Sequence, residues 1–536
     1  NLKALFFVGA NDTLLPGNMG QGGLLTERDR EWFQKEKQAL SPGAKEKTYI
    51  QKFYLYMNLT KPEEFLHISY SKVSSDGKTL RPAYLVWDLK KLFPKLVVTE
   101  EEALLMTQRE LTPGEGLEFV IRGVRDRYLG VDESWKELYT WYRQNEGQKV
   151  DRILDAGFFK KKPDALTGEE AAELYGEKKQ FSVTRMERFS ACAYAHFLTY
   201  GLHLSDRERY EFEAMDLGNI AHQSMERFAR KAQEKRMPWP KLEEVQRDAM
   251  IEESVEESIK DYGNTVLYST ARNEYMIVRI KQLIRRSVWA LTRQMEKGDF
   301  EPSGYEMNFG SGKIDRVDTC EDEDVVYVKV TDYKTGMKSF DIVALYHGLQ
   351  MQLPVYLNAA LELEERRASG KTVEPAGIFY YRIKDPIVDR EKDDHALEEK
   401  ILKELRLDGM INAKEEVIEH LEHQLSGTSV LNPIGKNKDG SLNRYSKVLP
   451  PEAFAAMLSY TKKKEARVKR QIYAGEVQAN PYELNGSTGC DYCAYRDICG
   501  FDPRLDGYAY RSLEKYSKEE VIRRMEEEIE NREEPS

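Results

Sequence analysis

The sequence predicts an α/β fold, on three observations: short apolar strands alternate with helical stretches near the start, a long hairpin of alternating apolar residues lies past the middle, and helices flank it. At 536 residues, 40% hydrophobic and 11% aromatic, the chain can bury more than one core and has the length of roughly three domains. Charged residues make up 32% and the net charge is -11, which speaks to solubility; a polyanionic ligand would need a locally basic groove. No stretch approaches the roughly 20 apolar residues that cross a bilayer, and the start lacks a charged segment followed by an apolar one, so the expected location is the cytoplasm. The opening residues Asn1-Leu2-Lys3-Ala4-Leu5-Phe6-Phe7-Val8-Gly9 already read as a strand entering a turn, without an initiator methionine, and suggest a fragment of something longer. Five cysteines are too few, and odd in number, for a disulfide framework, and point to metal binding.

In residues 1 to about 95, Leu5 to Val8 is a strand, Gly9 to Gly17 a loop and Thr26 to Ala39 a polar helix; the apolar segments Tyr49 to Asn58 and Phe65 to Tyr70 follow. Residues 96–175 read as a helical, charged connector, with Ser134 to Asn145 as one helix, ending in the basic run Lys160-Lys161-Lys162-Pro163; this sets a boundary near 176. The main domain spans 176–511. It opens with a helix from Ser182 carrying Met186, Phe189, Cys192 and Phe197, continues through further helices to about 295, and reaches a hairpin between Tyr305 and Lys334. Gly427 to Pro450, rich in Gly, Asn, Ser and Lys, is a long loop. In 512–536, Leu513, Val521, Met525 and Ile529 share one face of an acidic C-terminal helix.

The hairpin carries the chemistry. Val326, Val328, Val330, Asp332 and Lys334 alternate onto one face, which puts a carboxylate and an ammonium at the end of an apolar row. If the acidic turn Glu321-Asp322-Glu323-Asp324 is the centre of symmetry, Asp315 lies opposite Asp332 with Cβ atoms about 5 Å apart. Two facing carboxylates in a partly buried sheet repel, and a cation relieves the repulsion. Mg²⁺ suits the oxygen donors and phosphodiester hydrolysis, with Lys334 orienting the attacking water or stabilising the transition state. For an isolated D-Y-K, solvated hairpin residues are the simpler reading.

Further motifs stand in order on both sides. Gly218-Asn219-Ile220-Ala221-His222 gives G-x-x-x-H upstream, and Gln352-Leu353-Pro354-Val355-Tyr356 gives Q-x-x-x-Y downstream, with Gln352 and Tyr356 one helical turn apart. Pro354 is expected to disturb that helix. Together with Asp315 and Asp332-Tyr333-Lys334, these motifs resemble the RecB-family nucleases of the PD-(D/E)xK group. The resemblance implies a central mixed sheet flanked by helices, Asp315 and Asp332 as Mg²⁺ ligands, His222 beside the metal, Lys334 in catalysis, and Gln352 and Tyr356 as substrate-positioning residues.

Cys490, Cys493 and Cys499 form C-x2-C-x5-C, and Cys192 sits far upstream in Ser182-Val183-Thr184-Arg185-Met186-Glu187-Arg188-Phe189-Ser190-Ala191-Cys192. Spacing alone fits zinc or iron-sulfur equally. The pattern is similar to the B subunits of bacterial AddAB-type helicase-nucleases, in which one cysteine before and three after the nuclease motifs hold a 4Fe-4S cluster; Ala193 replaces the proline common after the first. The cluster's implied role is structural, closing a large loop around the catalytic core. Cys320 has no place in this pattern and reads as a structural thiol.

Leu5 to Pro16 resembles the strand and turn of the second motor domain of superfamily 1 helicases, and Tyr56-Met57-Asn58-Leu59-Thr60-Lys61-Pro62 resembles a motor motif whose arginine is Lys61 here. A phosphate-binding loop is missing, since Gly310-Ser311-Gly312-Lys313 runs into Ile314 of the hairpin. The family therefore implies a degenerate RecA-like helicase remnant over 1–95, a nuclease domain over 176–511 and doubtful ATPase activity. Its implied partners are DNA, as duplex ends and unwound single strands, and an AddA-type helicase-nuclease subunit. Arg279, Arg286 and Arg293 recur every seven residues near Lys281 and Arg285, and Lys462-Lys463-Lys464 with Arg467-Val468-Lys469-Arg470 forms a second basic run. Either could touch phosphates or be a solvated helix face. Two competing readings are a non-catalytic DNA-binding scaffold with a structural metal and a self-sufficient helicase, which the absent phosphate loop opposes.

Overall fold

The computed structural model describes residues 2–15, 27–36, 40–74, 77–100, 112–126, 134–158, 165–176, 181–205, 214–262, 268, 270–310, 312–368, 370–391 and 393–530. The basic run 160–163 and Pro16 lie outside the described residues. Two compact units divide between Gly157 and Phe158.

In the first unit, β1 (Leu2–Phe7) and β2 (Pro62–Ile68) pair in parallel, with Leu5 opposite Leu66 and Phe7 opposite Ile68. Parallel neighbours need a crossover, and the chain between them carries the helix Ala44–Leu59. The apolar segment Tyr49 to Asn58 therefore lies in a helix, although Phe53, Tyr54 and Tyr56 remain exposed. Two residues past β1 the chain turns at Gly9, whose φ of 76° is the left-handed conformation that favours glycine. The helices Pro113–Asp126, Trp135–Asn145 and Gly147–Gly157 pack around Val120, Tyr142 and Val150.

The second unit is a sheet between two helical layers. Its strands are β3 (Glu301–Asn308), β4 (Lys313–Glu321), β5 (Val325–Lys334), β6 (Thr372–Arg382), β7 (Asp408–Asn412) and β8 (Val448–Leu449), hydrogen-bonded in that order. The β3–β4, β4–β5 and β6–β7 pairs are antiparallel, and β5–β6 and β7–β8 are parallel. The sheet is thus mixed, as the family resemblance implies.

Both faces of β5 are buried, which explains its nearly continuous apolar run. Val326, Val328 and Val330 enter one core with Met186, Leu353, Leu357, Phe454 and Met457. Tyr327 and Tyr333 enter the other with Ile220, Met225, Ile280, Phe379 and Tyr381. Each buried valine contributes on the order of 1.5–3 kcal/mol of transfer free energy. The expected boundary near 176 differs from the structure, because the helix Gly168–Tyr175 buries Ala171 and Tyr175 in the first of these cores. The C-terminal helix, Lys518–Glu530, is part of the same core through Val521 and Met525 and starts later than expected, after an extended stretch.

Candidate active site

The hairpin register is the predicted one. The partners Val317–Val330 and Arg316–Thr331 lead, one step on, to Asp315 facing Asp332. The neighbouring β3–β4 pairs Tyr305–Arg316 and Met307–Ile314 put Glu306 opposite Asp315. Three acids thus cross three adjacent strands in one row. Arg316 and Asp318, the other charges of this motif, are buried and bond each other at 2.6 Å, so they are spent on the core.

Helices from both layers reach the row. From the helix Ala214–Glu234, His222 Nδ1 comes within 3.3 Å of Asp315 Oδ2. From the helix Gln352–Glu365, Gln352 donates through Nε2 to Asp332 Oδ1 at 2.8 Å and to the Tyr356 hydroxyl at 3.0 Å. Pro354 leaves this helix intact because it sits in the first turn, where its missing N–H has no partner to lose. His222 lies within its helix, past Gly218, where an added Cβ would approach Thr335 Oγ1 to 3.1 Å. The main-chain N–H of Tyr333 donates to Asp315 Oδ2 at 2.7 Å, and Lys334 ion-pairs with Asp332.

Burial and close like charges set the electrostatics of the row. Asp332 is 1% exposed, and burial, then the charge of Asp315, push its carboxyl up to about 7 despite Lys334 and His222. Its Oδ2, although beside the Lys334 ammonium, has no aligned hydrogen-bond donor. Glu306 is likewise pushed up to about 7, by burial and then by Asp315 and Glu226. Burial works against charging His222, but its hydrogen bond to Asp315 and the charges of Asp315 and Asp332 prevail and raise its pKa. The ligand atoms of His222, Glu306 and Asp315 lie within 4.8 Å of one another and line one open cleft with Glu226 and Lys313.

Sequence reasoning missed Glu306 and Glu187. Glu306 belongs to no quoted motif, but a second symmetric hairpin, with its turn at 310–311, would have set it opposite Asp315. Its φ of 45°, unusual for a non-glycine residue, marks a strained backbone at this point. Glu187 accepts from the main-chain N–H groups of Met351 at 2.7 Å and Gln352 at 3.1 Å, anchoring the start of the helix that supplies Gln352.

The fold brings Cys192 to the 490–499 segment. Cys192 and Tyr495 are buried together with Cys493 packed against them, and the Tyr495 hydroxyl donates to the Leu204 carbonyl at 2.7 Å. Burial raises the Cys490 thiol to about 11, with Cys192, Cys493 and Cys499 all near enough to add to the effect. Cys320 is elsewhere, buried beside Asp299 and His420. The basic stripe is occupied internally: Arg279 and Arg286 face Asp385 at 3.6 and 3.3 Å, Lys281 pairs with Glu256, and Lys462 with Glu362.

Residues 180–500 match the PD-(D/E)XK nuclease superfamily. The chain is 37% identical over 541 residues to the B subunit of the ATP-dependent helicase/deoxyribonuclease of Lachnoclostridium phytofermentans, covering 97% of this chain and 47% of that protein. The proteins of the same name from Alkaliphilus oremlandii and Alkaliphilus metalliredigens are 32% and 31% identical, over 99% and 98% of this chain and 49% and 48% of theirs. The chain thus spans about half the length of the curated relatives it matches. Among the described residues no helix is long and apolar enough to cross a membrane.

Proposed function

The chain belongs to the PD-(D/E)XK nuclease superfamily, and from that premise we propose that it is the Mg²⁺-dependent DNA-cleaving part of a helicase-nuclease subunit that processes double-strand DNA ends for recombinational repair. The observation that carries this reading is the row Glu306, Asp315 and Asp332 with His222 and Lys334 against it. Several hard oxygen donors around a buried carboxylate suit Mg²⁺. Asp315 and Asp332 would hold the ion, with His222 and Glu306 as further donors. When bound, Mg²⁺ supplies a Lewis acid for the phosphate and a water of lowered pKa.

The protein's own groups do the rest. Lys334 orients the attacking water and stabilises charge gathering on the phosphate. Gln352 fixes the rotamer of Asp332 while the Tyr333 amide fixes Asp315, so both carboxylates are set before substrate arrives. Gln352 and Tyr356 together position the substrate strand. Cys192, Cys490, Cys493 and Cys499 are the ligands of a structural 4Fe-4S cluster, and the donor set, four free thiols drawn from the two ends of the domain, fits that role. The first unit, with its parallel β1–β2 pair joined through a helix, is the degenerate remnant of a RecA-like helicase domain, and Lys61 in place of the motor arginine leaves ATP turnover to an AddA-type partner. A non-catalytic scaffold is the alternative.

The test is hydrolysis of linear duplex DNA by the protein with its partner subunit, in Mg²⁺ and in chelator. Cleavage should need Mg²⁺, and Asp332→Ala should abolish this chain's cut while leaving DNA binding intact; undiminished cleavage by the variant would leave the scaffold reading standing.

A further inference from the structure

We propose that Asp299, Cys320, His420 and His423 form a second cation site, for a borderline transition ion of the zinc class, that fastens the turn end of the β4–β5 hairpin. Four segments converge there. Asp299 lies in the connection before β3, Cys320 near the end of β4, His420 in the helix Glu415–Leu421 and His423 just after it. The ligand atoms of Asp299, Cys320 and His420 lie within 4.8 Å of one another. His420 Nδ1 is 2.8 Å from Asp299 Oδ2, and His423 Nε2 is 2.9 Å from Asp299 Oδ1, so two imidazoles meet on one carboxylate in front of a buried thiol.

The donor chemistry selects the ion. One sulfur, two imidazole nitrogens and a carboxylate oxygen form a set that zinc accepts and that Mg²⁺ or Ca²⁺ does not favour. Tetrahedral bonds of about 2.0–2.3 Å set ligand atoms roughly 3.5 Å apart, so on loading the two His–Asp contacts, at 2.8 and 2.9 Å, would open while Cys320, within 4.8 Å of Asp299 and His420, would close on the ion. The local charge favours a cation as well: Asp322 Oδ2 stands 3.8 Å from His420 Nε2, and two cations near this corner, Lys371 and Lys329, are engaged with Glu321 and Asp318.

The frame is built in the main chain. His423 N–H donates to the Lys297 carbonyl and Asp299 N–H to the His420 carbonyl, each at 2.8 Å. Gly298 between them permits this approach, since a Cβ there would meet the His420 carbonyl oxygen at 2.4 Å and that of Leu421 at 2.6 Å. Three donors are therefore positioned by backbone contacts that do not depend on an ion. The consequence is mechanical. The Asp315–Asp332 pair lies at the open end of the hairpin, and an ion at Cys320 would tie its turn end to the helix Glu415–Leu421.

The experiment compares wild type, Cys320→Ser and His420→Ala as whole chains, each equilibrated with Zn²⁺, dialysed into metal-free buffer and analysed for zinc and iron per chain. Wild type should retain about one zinc per chain more than either variant, with iron unchanged, because the other four cysteines are untouched. Co²⁺ in place of Zn²⁺ should give tetrahedral visible bands with thiolate charge transfer, and the part due to this site should vanish in both variants. Added Zn²⁺ should raise the melting temperature of wild type more than that of His420→Ala. Should Cys320→Ser fail to fold, His423→Ala, whose side chain is 43% exposed, makes the same comparison. Equal zinc content and equal zinc-induced melting shifts in wild type and the folded variants would overturn the site and leave a hydrogen-bonded His-Asp-His bridge in its place.

Discussion

Replacing Asp332 with Asn keeps the shape of the side chain and removes its charge, so in magnesium-free buffer the variant should be more stable than wild type although it cannot cleave DNA. The magnitude follows from the site. The carboxyl titrates at 3.8 when free and at about 7 in the fold, because it is buried and then because Asp315 opposes it. A gap of about three units at about 1.4 kcal/mol each means that ionising Asp332 costs the metal-free fold about 4 kcal/mol above pH 7. The folded value is raised, so wild type is most favoured at low pH and loses stability as pH climbs from 3.8 through 7; the carboxamide of the variant has no proton to lose. That amide can still accept from Gln352, and Lys334, which is partly exposed, can turn to water. Urea denaturation should therefore show Asp332→Asn ahead by about 4 kcal/mol at pH 8 and by about 2 kcal/mol at pH 5. A variant less stable than wild type at pH 8, or a difference independent of pH, would refute the idea that Asp332 is held at an energetic cost until a cation arrives.

Asp315→Ala and Lys334→Ala should remove cleavage as Asp332→Ala does, and His222→Ala should weaken it, in a single-turnover assay with DNA binding retained. Asp332 and Glu306 are both raised to about 7, so ion binding must expel protons below that pH, and Mg²⁺ affinity by calorimetry should fall about tenfold per unit for each proton released; a flat profile from pH 6 to 8 would contradict this. Anaerobically purified protein should be brown with about four irons per chain, and Cys493→Ser should lose the colour and melt at lower temperature; colourless wild type with stoichiometric zinc would favour the zinc alternative. Gly409→Ala should destabilise the fold by about 3 kcal/mol or more, because its Cβ would fall 1.8 Å from the Ile378 carbonyl oxygen across β6–β7; a change within about 0.5 kcal/mol would show that the strands can part.

The hairpin was legible because one turn centre fixes every pair on its two strands, so the spacing of Asp315 and Asp332 about 323–324 determined their juxtaposition before any contact was known. Gln352 and Tyr356 were legible as a helical i, i+4 pair, and Pro354 misled only because the sequence did not reveal that the helix begins at Gln352. Glu306 went unseen for a different reason: it comes from a third strand, Glu301–Asn308, in which Pro, Ser and Gly interrupt the apolar alternation that would have announced a strand. Glu187 acts on main-chain groups, which leave no mark in a motif. The domain boundary near 176 and the separate C-terminal helix differ from the structure because burial of Ala171, Tyr175, Val521 and Met525 depends on distant segments. Cys320, set aside in the sequence as a solitary thiol, gains neighbours only when Asp299 and His420 are folded against it.

The most direct measurement is the number of Mn²⁺ ions, used as a paramagnetic stand-in for Mg²⁺, that electron paramagnetic resonance finds bound to wild type and to Asp315→Ala at pH 8. If the row of carboxylates is the metal-holding centre of a nuclease, the variant should lose a bound ion and, in the same samples, its DNA cleavage. Undiminished Mn²⁺ binding by Asp315→Ala, or cleavage that survives the loss of the ion, would contradict it.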